Sequence, residues 1–429
     1  MGVARMWTRL RTALLLTVAG VLAAGVAPAY AAAPPLTTWS SDLRSGEAAG
    51  VTTRADAVVL DQRTARPMPP GAHPGTAGRT AMTEGAPDPD PAAVRSTGLL
   101  TLAPHTLAHP TDRVDSMVVA DLPPGSTVTV DVRGRRAGGN WTEWIPSTST
   151  GTTYRDTAGT ATLPEPITEV QSRLVLAGTP DARPLVRDLR QAAHPTSRTT
   201  AAAVPRKTLS SRVFATREGL VGGTTANGHV ITERDHFVAL PSRRALSPRG
   251  TSDYSVKVCT AGGRCAFAPV WDVGPWNTRD DYWNPGTVRQ NWADLPQGLP
   301  EAQAAYRNGY NGGKDQFGRK VVNPAGIDLA DGLFWDALGL RDNAWVTVDY
   351  LWTGSARLAE VAAKENVPVR AAPSRNAEQV GIAVRTADVP VECVTGTAPN
   401  AWLRIGAGQF VAASAVSGAG AVGACPAAG

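Results

Sequence analysis

The sequence predicts a mainly β protein. Short segments in which Val, Thr and Leu alternate with polar residues recur along the chain, as is typical of half-buried strands. The 43 glycines and 34 prolines punctuate these segments and favour turns between strands. A length of 429 residues is enough for two to four domains. We therefore expect several β-rich domains in tandem.

The N-terminal residues predict export. Three arginines precede an apolar run over residues 13–26, and residues 29–31 read Ala-Tyr-Ala, the small-x-small pattern of a cleavage site. The run is too short to span a membrane, and no second long apolar run follows. We expect residues 1–31 to be a signal peptide. The mature protein should then be secreted, without a stable membrane anchor.

The charge argues against nucleic acid as a partner. The formal net charge is +5, and removal of residues 1–31, which carry three arginines and no acidic residue, lowers it to +2. No run of basic residues is longer than two. A weakly cationic surface suits an anionic cell wall, although ordinary solubility is the simpler explanation.

The four cysteines predict two disulfides, the default state in an exported protein. Cys259 and Cys265 flank a five-residue turn, and Cys393 and Cys425 both lie near the C-terminus. Pairing them in this way keeps each bond within one domain. No Cys-x-x-Cys or paired His accompanies them, so we predict no metal site and no cofactor.

The segments 123–128, 132–135, 140–144 and 170–173 carry a second pattern. Through them residues 36–193 resemble a β-sandwich module of secreted actinobacterial hydrolases. Residues 62–96, rich in Pro, Gly and Asp, are expected to form a flexible insertion. Trp141 and Trp144 have two readings, sugar stacking or bracing of the sandwich core. The four segments begin at Pro123, Val132, Asn140 and Val170.

After a linker over residues 194–211, residues 212–353 carry a more specific pattern. Val-Trp-Asp-Val-Gly-Pro at 270–275 is followed by Ile-Asp-Leu-Ala at 327–330 and then by an apolar stripe at helical spacing. This order resembles the double-psi β-barrel of the rare lipoprotein A family, the expansins and family 45 glycoside hydrolases. The resemblance implies a barrel that acts on glycans.

By this resemblance the candidate catalytic residues are Asp272 and Asp328. Glycan cleavage needs a proton donor, and hydrolysis usually needs a second carboxylate. A lytic transglycosylase manages with one acidic residue, because a hydroxyl of the sugar replaces water. We expect Gly274 and Pro275 to turn the chain and expose the Asp272 carboxylate. The alternative for Asp328 is a helix N-cap.

The chain departs from the enzyme pattern at one position. Rare lipoprotein A enzymes have a His in the strand that corresponds to residues 238–244, and this segment contains none. His236 lies four strand residues from Leu240, about 13 Å, and cannot take over that position. A pair between Asp235 and His236 is a further hypothesis. An enzyme and a non-catalytic binder are therefore both retained.

The segment 276–324 interleaves aromatic residues with Asp, Asn and Arg, which suits sugar recognition. The alternative is that its aromatic rings hold a long loop against the barrel. Asn227, in a Thr-Ala-Asn-Gly turn, lies beside the groove if the barrel resemblance holds. The residues predicted to contact a glycan are Trp276, Tyr282, Trp283, Trp292, His236 and Asn227.

Residues 360–429 resemble a bacterial SH3-like barrel, through the segments 367–370, 401–405 and 409–411. This completes the predicted tandem of β-sandwich, double-psi β-barrel and SH3-like barrel. We expect a secreted, cell-wall-associated protein that binds peptidoglycan or another β-linked glycan and, in the enzyme version, cleaves it as a lytic transglycosylase or glycoside hydrolase. The alternatives are a non-catalytic expansin-like wall-binding protein and a protein-binding or inhibitor scaffold.

Overall fold

The computed structural model describes residues 35–68, 95–198 and 205–426. The predicted signal peptide lies outside these ranges. The described residues are mainly β, as predicted. Within them, no helix is long and apolar enough to cross a bilayer.

The N-terminal module is a sheet that wraps around its own core, in the order β2-β6-β11-β7-β12-β4-β3 with the remaining strands as branches. The longest strand, β11, pairs first with β7 and later with β6 and β8. The core between these strands is aliphatic. The strands are β1 Thr37–Ser40, β2 Glu47–Ala49, β3 Val51–Arg54, β4 Ala57–Leu60, β5 Arg66–Met68, β6 Arg95–Thr101, β7 His105–Asp121, β8 Thr127–Gly134, β9 Ile145–Pro146, β10 Thr148–Thr152, β11 Asp156–Gly178 and β12 Leu185–Pro195.

Part of the predicted flexible insertion is ordered. Within residues 62–96, β5 pairs with β6, and the side chain of Arg66 is buried. The prediction is wrong for this part. It rests on the scarcity of large apolar residues, but β5 is held in place by backbone pairing with β6 and by the buried side chain of Arg66. Residues 69–94 lie outside the described ranges.

The central module is a closed six-stranded barrel. Its strands follow the order β14-β17-β13-β18-β15-β16, and β16 pairs back to β14, which leaves the ring without a free edge. The pairs β13–β17 and β14–β16 are parallel. The strands are β13 Leu209–Arg217, β14 Val238–Leu240, β15 Ser255–Thr260, β16 Cys265–Val273, β17 Ala325–Leu329 and β18 Ala344–Tyr350.

Helices are few and short in the described ranges. Helix α1 spans Glu301–Asn308 in the excursion between β16 and β17 and ends at Gly309, whose φ of 67° is accessible to glycine without strain. The remaining helical turns are Arg243–Ala245, Tyr310–Gly313, Leu333–Ala337, Leu351–Thr353 and Ala413–Ala415.

The C-terminal strands continue the barrel sheet, because β21 pairs in parallel with β16. A small second sheet has the order β22-β19-β26. Both predicted disulfides are present, Cys259–Cys265 and Cys393–Cys425. The strands are β19 Leu358–Val361, β20 Val367–Arg370, β21 Gln379–Ala383, β22 Asp388–Pro390, β23 Cys393–Thr395, β24 Trp402–Gly406, β25 Gln409–Ala412 and β26 Val416–Ser417.

The two tryptophans of the sandwich are core residues. Trp141 and Trp144 are 4% and 0% exposed. The guanidinium of Arg133 lies 4.3 Å from each ring centroid, a cation–π arrangement. Trp144 Nε1 also donates to the carbonyl of Leu246 in the barrel module at 3.1 Å. Both rings are buried, but they belong to the hydrophobic cluster of the barrel and not to the aliphatic core of the N-terminal module. They therefore brace the junction between the two modules and not the sandwich core.

Candidate functional site: a buried carboxyl cluster

The register of three barrel strands brings the predicted acids together. Ala239 in β14 pairs with Asp272 of β16 on one side and with Asp328 of β17 on the other. Neighbouring strands lie about 4.8 Å apart, so the backbones of the two aspartates are separated by about 10 Å. The two sequence motifs therefore meet across a single strand.

The carboxylate of Asp272 is enclosed by donors. Arg66 donates from Nη2 to Oδ2 at 2.9 Å and from Nε to Oδ1 at 3.2 Å. The backbone amides of Ala226 and Val273 donate to Oδ1 at 2.7 and 2.8 Å. Asp272 is 0% exposed, which contradicts the expectation that the Gly-Pro turn exposes it. The turn is present, but the sandwich covers the carboxylate and supplies Arg66 as its counter-ion.

Asp328 is a strand residue and not a helix cap. It lies in β17, and the helical turn Leu333–Ala337 begins later, with Gly332 in the capping position. The hydroxyl of Thr216 donates to its carboxyl oxygen. Burial raises the pKa of Asp328 to about 7, and the nearby Asp272 contributes in the same direction.

A third carboxyl group, Glu218, completes the cluster. It follows directly on β13, two residues beyond Thr216, so both side chains lie on one face of the strand. Its carboxyl oxygens are buried and have no hydrogen-bond partner among the described residues. Burial, with Asp272 and then Asp328 contributing, raises its pKa well above the ordinary value of 4.5.

Sequence reasoning missed Glu218. The signal available was a lone acidic residue directly after an apolar alternating strand, shortly before the Gly-rich turn over residues 219–228. That signal is weak, because a glutamate at a strand end is usually solvated. Glu218 is only 1% exposed because the closed barrel buries it, and this cannot be seen from the sequence.

Together the three carboxyl groups can support acid–base chemistry. Burial and the neighbouring Asp272 raise the pKa of Glu218 and so favour its protonated form, whereas Asp272 makes a two-point ion pair with a guanidinium. When two neighbouring carboxyl groups lie in such different surroundings, one can serve as the acid and the other can act in its ionised form. All three are at most 1% exposed, so the cluster is closed to solvent in this structure.

The turn over Asp272 is structural. Asn227 accepts from the hydroxyl of Thr225 at 2.7 Å and donates to the carbonyl of Ser247 at 3.2 Å. Gly228 has a φ of 87°, and a Cβ there would lie 2.9 Å from that of Ala49 in the sandwich. Both polar side-chain atoms of Asn227 are therefore bonded within the turn and its neighbours. The structure does not support the predicted contact between Asn227 and a glycan.

The Asp–His pair involves a different histidine from the one suggested by the sequence. Nε2 of His229 lies 2.6 Å from Oδ2 of Asp235, whereas His236 packs against Gly332. Burial lowers the pKa of His236, and in the structure it has no carboxylate partner among the described residues. The hypothesis of an Asp235–His236 pair is wrong because the turn at Gly228 brings His229 back onto Asp235.

The aromatic residues of the excursion serve packing. Trp276, Tyr282 and Trp283 are at most 2% exposed and offer no ring face to a sugar, so the alternative explanation applies to them. Trp292 is half-buried. Glu143 of the sandwich accepts from Trp283 Nε1 at 2.6 Å, which ties the excursion to the N-terminal module.

The sandwich carries an open groove of about 780 Å³. Trp39 lies at this groove with its ring stacked on His105 at a centroid distance of 4.4 Å. Met117, 43% exposed, adds an apolar surface. Polar side chains complete the lining, among them Arg113, Asp115, Thr160 and Arg190. An apolar ring flanked by convergent polar groups is a common arrangement in small-molecule sites.

Comparisons with known proteins add little about activity. Residues 209–349 match a family model described as a domain of unknown function, DUF8814. No curated protein matches the chain. A solved structure described as a xylan-binding module CBM15 is similar over 38% of this chain and 100% of its own, at 14% identity and a TM-score of 0.22. Similarity at that level supports no conclusion about this chain.

Proposed function

We propose that this is an exported glycan-binding protein whose barrel contains an acid–base centre for cleaving a β-linked glycan. Glu218 carries the proposal, because a fully buried carboxyl group set beside a second carboxylate, Asp272, and without a cation partner among the described residues is costly to maintain in a core. Burial and the nearby Asp272 raise its pKa, which favours the protonated form that a general acid needs. The two disulfides fit an extracellular setting.

In this proposal Glu218 donates its proton to the glycosidic oxygen as its bond to the anomeric carbon breaks, and Asp272 stabilises the positive charge that develops on the sugar. Water then adds to the anomeric carbon and returns a proton to Glu218. The site would have to open first, because Arg66 now neutralises Asp272 and the sandwich covers it. Cleavage therefore requires the sandwich to move away from the barrel at this point.

A second candidate is a non-catalytic wall-binding protein. The closed cluster favours it, since none of the three carboxyls is more than 1% exposed. The groove at Trp39 would then be the principal glycan contact, with the ring packing on a pyranose face. Peptidoglycan, as the anionic polymer of the cell wall, is the first ligand to test for both candidates.

The test incubates the mature protein with purified peptidoglycan and analyses the soluble products by mass spectrometry. We expect cleavage by the parent and by the exposed-site control Glu378→Gln, and a loss of about 100-fold or more in Glu218→Gln. Equal cleavage by Glu218→Gln would remove Glu218 as the acid. If the protein sediments with the insoluble wall but releases no product, the non-catalytic binder is supported. If it neither releases product nor sediments with the wall, a protein-binding scaffold is supported.

A further inference from the structure

A second polar cavity lies at the seam between the sandwich and the barrel, independent of the groove at Trp39. Its volume is about 290 Å³, and its lining comes from both modules. The side chains that matter here are Asp131, Ser147, Arg243, Arg279, Gln290 and Asn291.

Arg243 has no counter-ion in this cavity. Its Nη1 lies 3.7 Å from the sulfur of Met68, a weak acceptor. Arg243 forms no ion pair with any described carboxylate. Asp131 is near enough to act on its charge but bonds to Arg173 at 2.8 Å. Burial lowers the pKa of Arg243 to about 10, so the guanidinium stays charged at neutral pH.

The other cation at the cavity is also without a counter-ion. Arg279 is exposed at the rim and forms no ion pair with any described residue. Arg243 itself, Arg279, Arg173 and Asp131 together carry a net +2, and Arg244, which also lines the cavity, is paired with Asp281. A surplus of positive charge in a partly dehydrated cleft lowers the energy of a bound anion.

Neutral donors are available beside the two guanidiniums. The side-chain oxygen of Gln290 accepts from Ser242 at 3.1 Å, which leaves its amide nitrogen to donate elsewhere. The hydroxyl of Ser147 is buried and has no partner among the described residues. A buried polar atom without a partner is uncommon in a native protein, and this hydroxyl can donate to a ligand in the cavity.

From these observations we infer that the seam cavity binds an oxyanion, a carboxylate or a phosphate, on a ligand small enough for about 290 Å³. Arg243 and Arg279 supply the charge-assisted hydrogen bonds, and Gln290 and Ser147 supply neutral ones. The cavity uses none of the three carboxyl groups of the barrel cluster, so this inference stands whether or not the protein cleaves a glycan.

Isothermal titration with three probes tests the inference: inorganic phosphate, D-glucuronate and its neutral counterpart D-glucose. We expect phosphate or glucuronate to bind and glucose not to bind, with affinity falling as NaCl is raised. Tighter binding of phosphate would indicate a phosphate ligand, and tighter binding of D-glucuronate would indicate a carboxylate on a sugar. If neither anion binds, the inference fails.

Two variants locate the binding. Arg243→Gln and Arg279→Gln should each lower the affinity for the anion by about 10-fold or more, which is the effect expected from loss of one charge-assisted hydrogen bond. The control Arg385→Gln removes an exposed arginine of the C-terminal module and should change nothing. Should Arg243→Gln fail to fold by circular dichroism, Arg279→Gln decides alone. Parent-like affinity in Arg279→Gln would overturn the proposal.

Discussion

Arg66 of the sandwich and Asp272 of the barrel, 206 residues apart in sequence, form a buried two-point ion pair. The side chains are 8% and 0% exposed. The pair joins two modules and at the same time closes the carboxyl cluster. The stability of the module junction and access to the candidate site are thereby linked through one contact.

Removing Arg66 should destabilise the protein strongly. Arg66→Ala leaves the Asp272 carboxylate buried without its cation, and we expect a loss of about 3–5 kcal/mol in the free energy of unfolding. Urea denaturation measures it. In the control Arg44→Ala, which breaks an exposed pair with Asp56, the loss should stay below about 1 kcal/mol. Similar losses in both variants would show that burial of the Arg66 pair has no special role.

Stability should decrease as the pH rises from about 4 to 7. The pKa of Asp328 is raised from 3.8 to about 7 in the folded protein, so in this window the folded state binds more protons than the unfolded state. The pKa of Glu218 is shifted in the same direction. Asp328→Asn should flatten the dependence, measured by urea denaturation at pH 5 and pH 8. The exposed control Asp181→Asn should leave it unchanged, and an unflattened profile in Asp328→Asn would contradict the assignment.

Glu143 should contribute to holding the excursion in place. It accepts from Nε1 of Trp283 and Trp352 and from Nδ2 of Asn284, at 2.6, 3.0 and 2.7 Å. Glu143→Ala leaves the two indole donors unpaired, whereas Asn284 keeps its bond to Asp281. We expect a loss of at least about 2 kcal/mol in the free energy of unfolding, followed by tryptophan fluorescence. Glu143→Gln retains an acceptor and should lose less. If Glu143→Ala and Glu143→Gln lose the same free energy of unfolding, the hydrogen bonds accepted by Glu143 do not contribute to stability.

The two disulfides should differ in their contributions. The bond Cys393–Cys425 closes a sequence separation of 32, and Cys259–Cys265 a separation of 6. In the chain-entropy account a longer loop gives more stabilisation, about 3.7 against 2.4 kcal/mol. Replacing each pair by alanine and comparing thermal unfolding tests the order. A larger loss for Cys259–Cys265 would indicate that native-state packing outweighs loop entropy.

Local patterns in the sequence were sufficient for several features. Alternating apolar residues and Gly/Pro turns predicted the β class, and the spacing of the cysteines predicted both bonds. The motifs around Asp272 and Asp328 contain two residues that the barrel register brings together across Ala239, and their catalytic role stays a prediction. These features depend on residues near one another in sequence, or on a motif whose order along the chain is informative.

Tertiary structure alone decided the state of the site. The aromatic residues Tyr282 and Trp283, chemically suited to sugars, are buried, and a third carboxyl, Glu218, joins the two aspartates. Whether a carboxylate is exposed or paired depends on which surface docks over it, and here the partner, Arg66, comes from another module. Strand periodicity and cysteine spacing are properties of the sequence alone, whereas burial, ion pairing and the resulting pKa values arise only when distant segments come into contact.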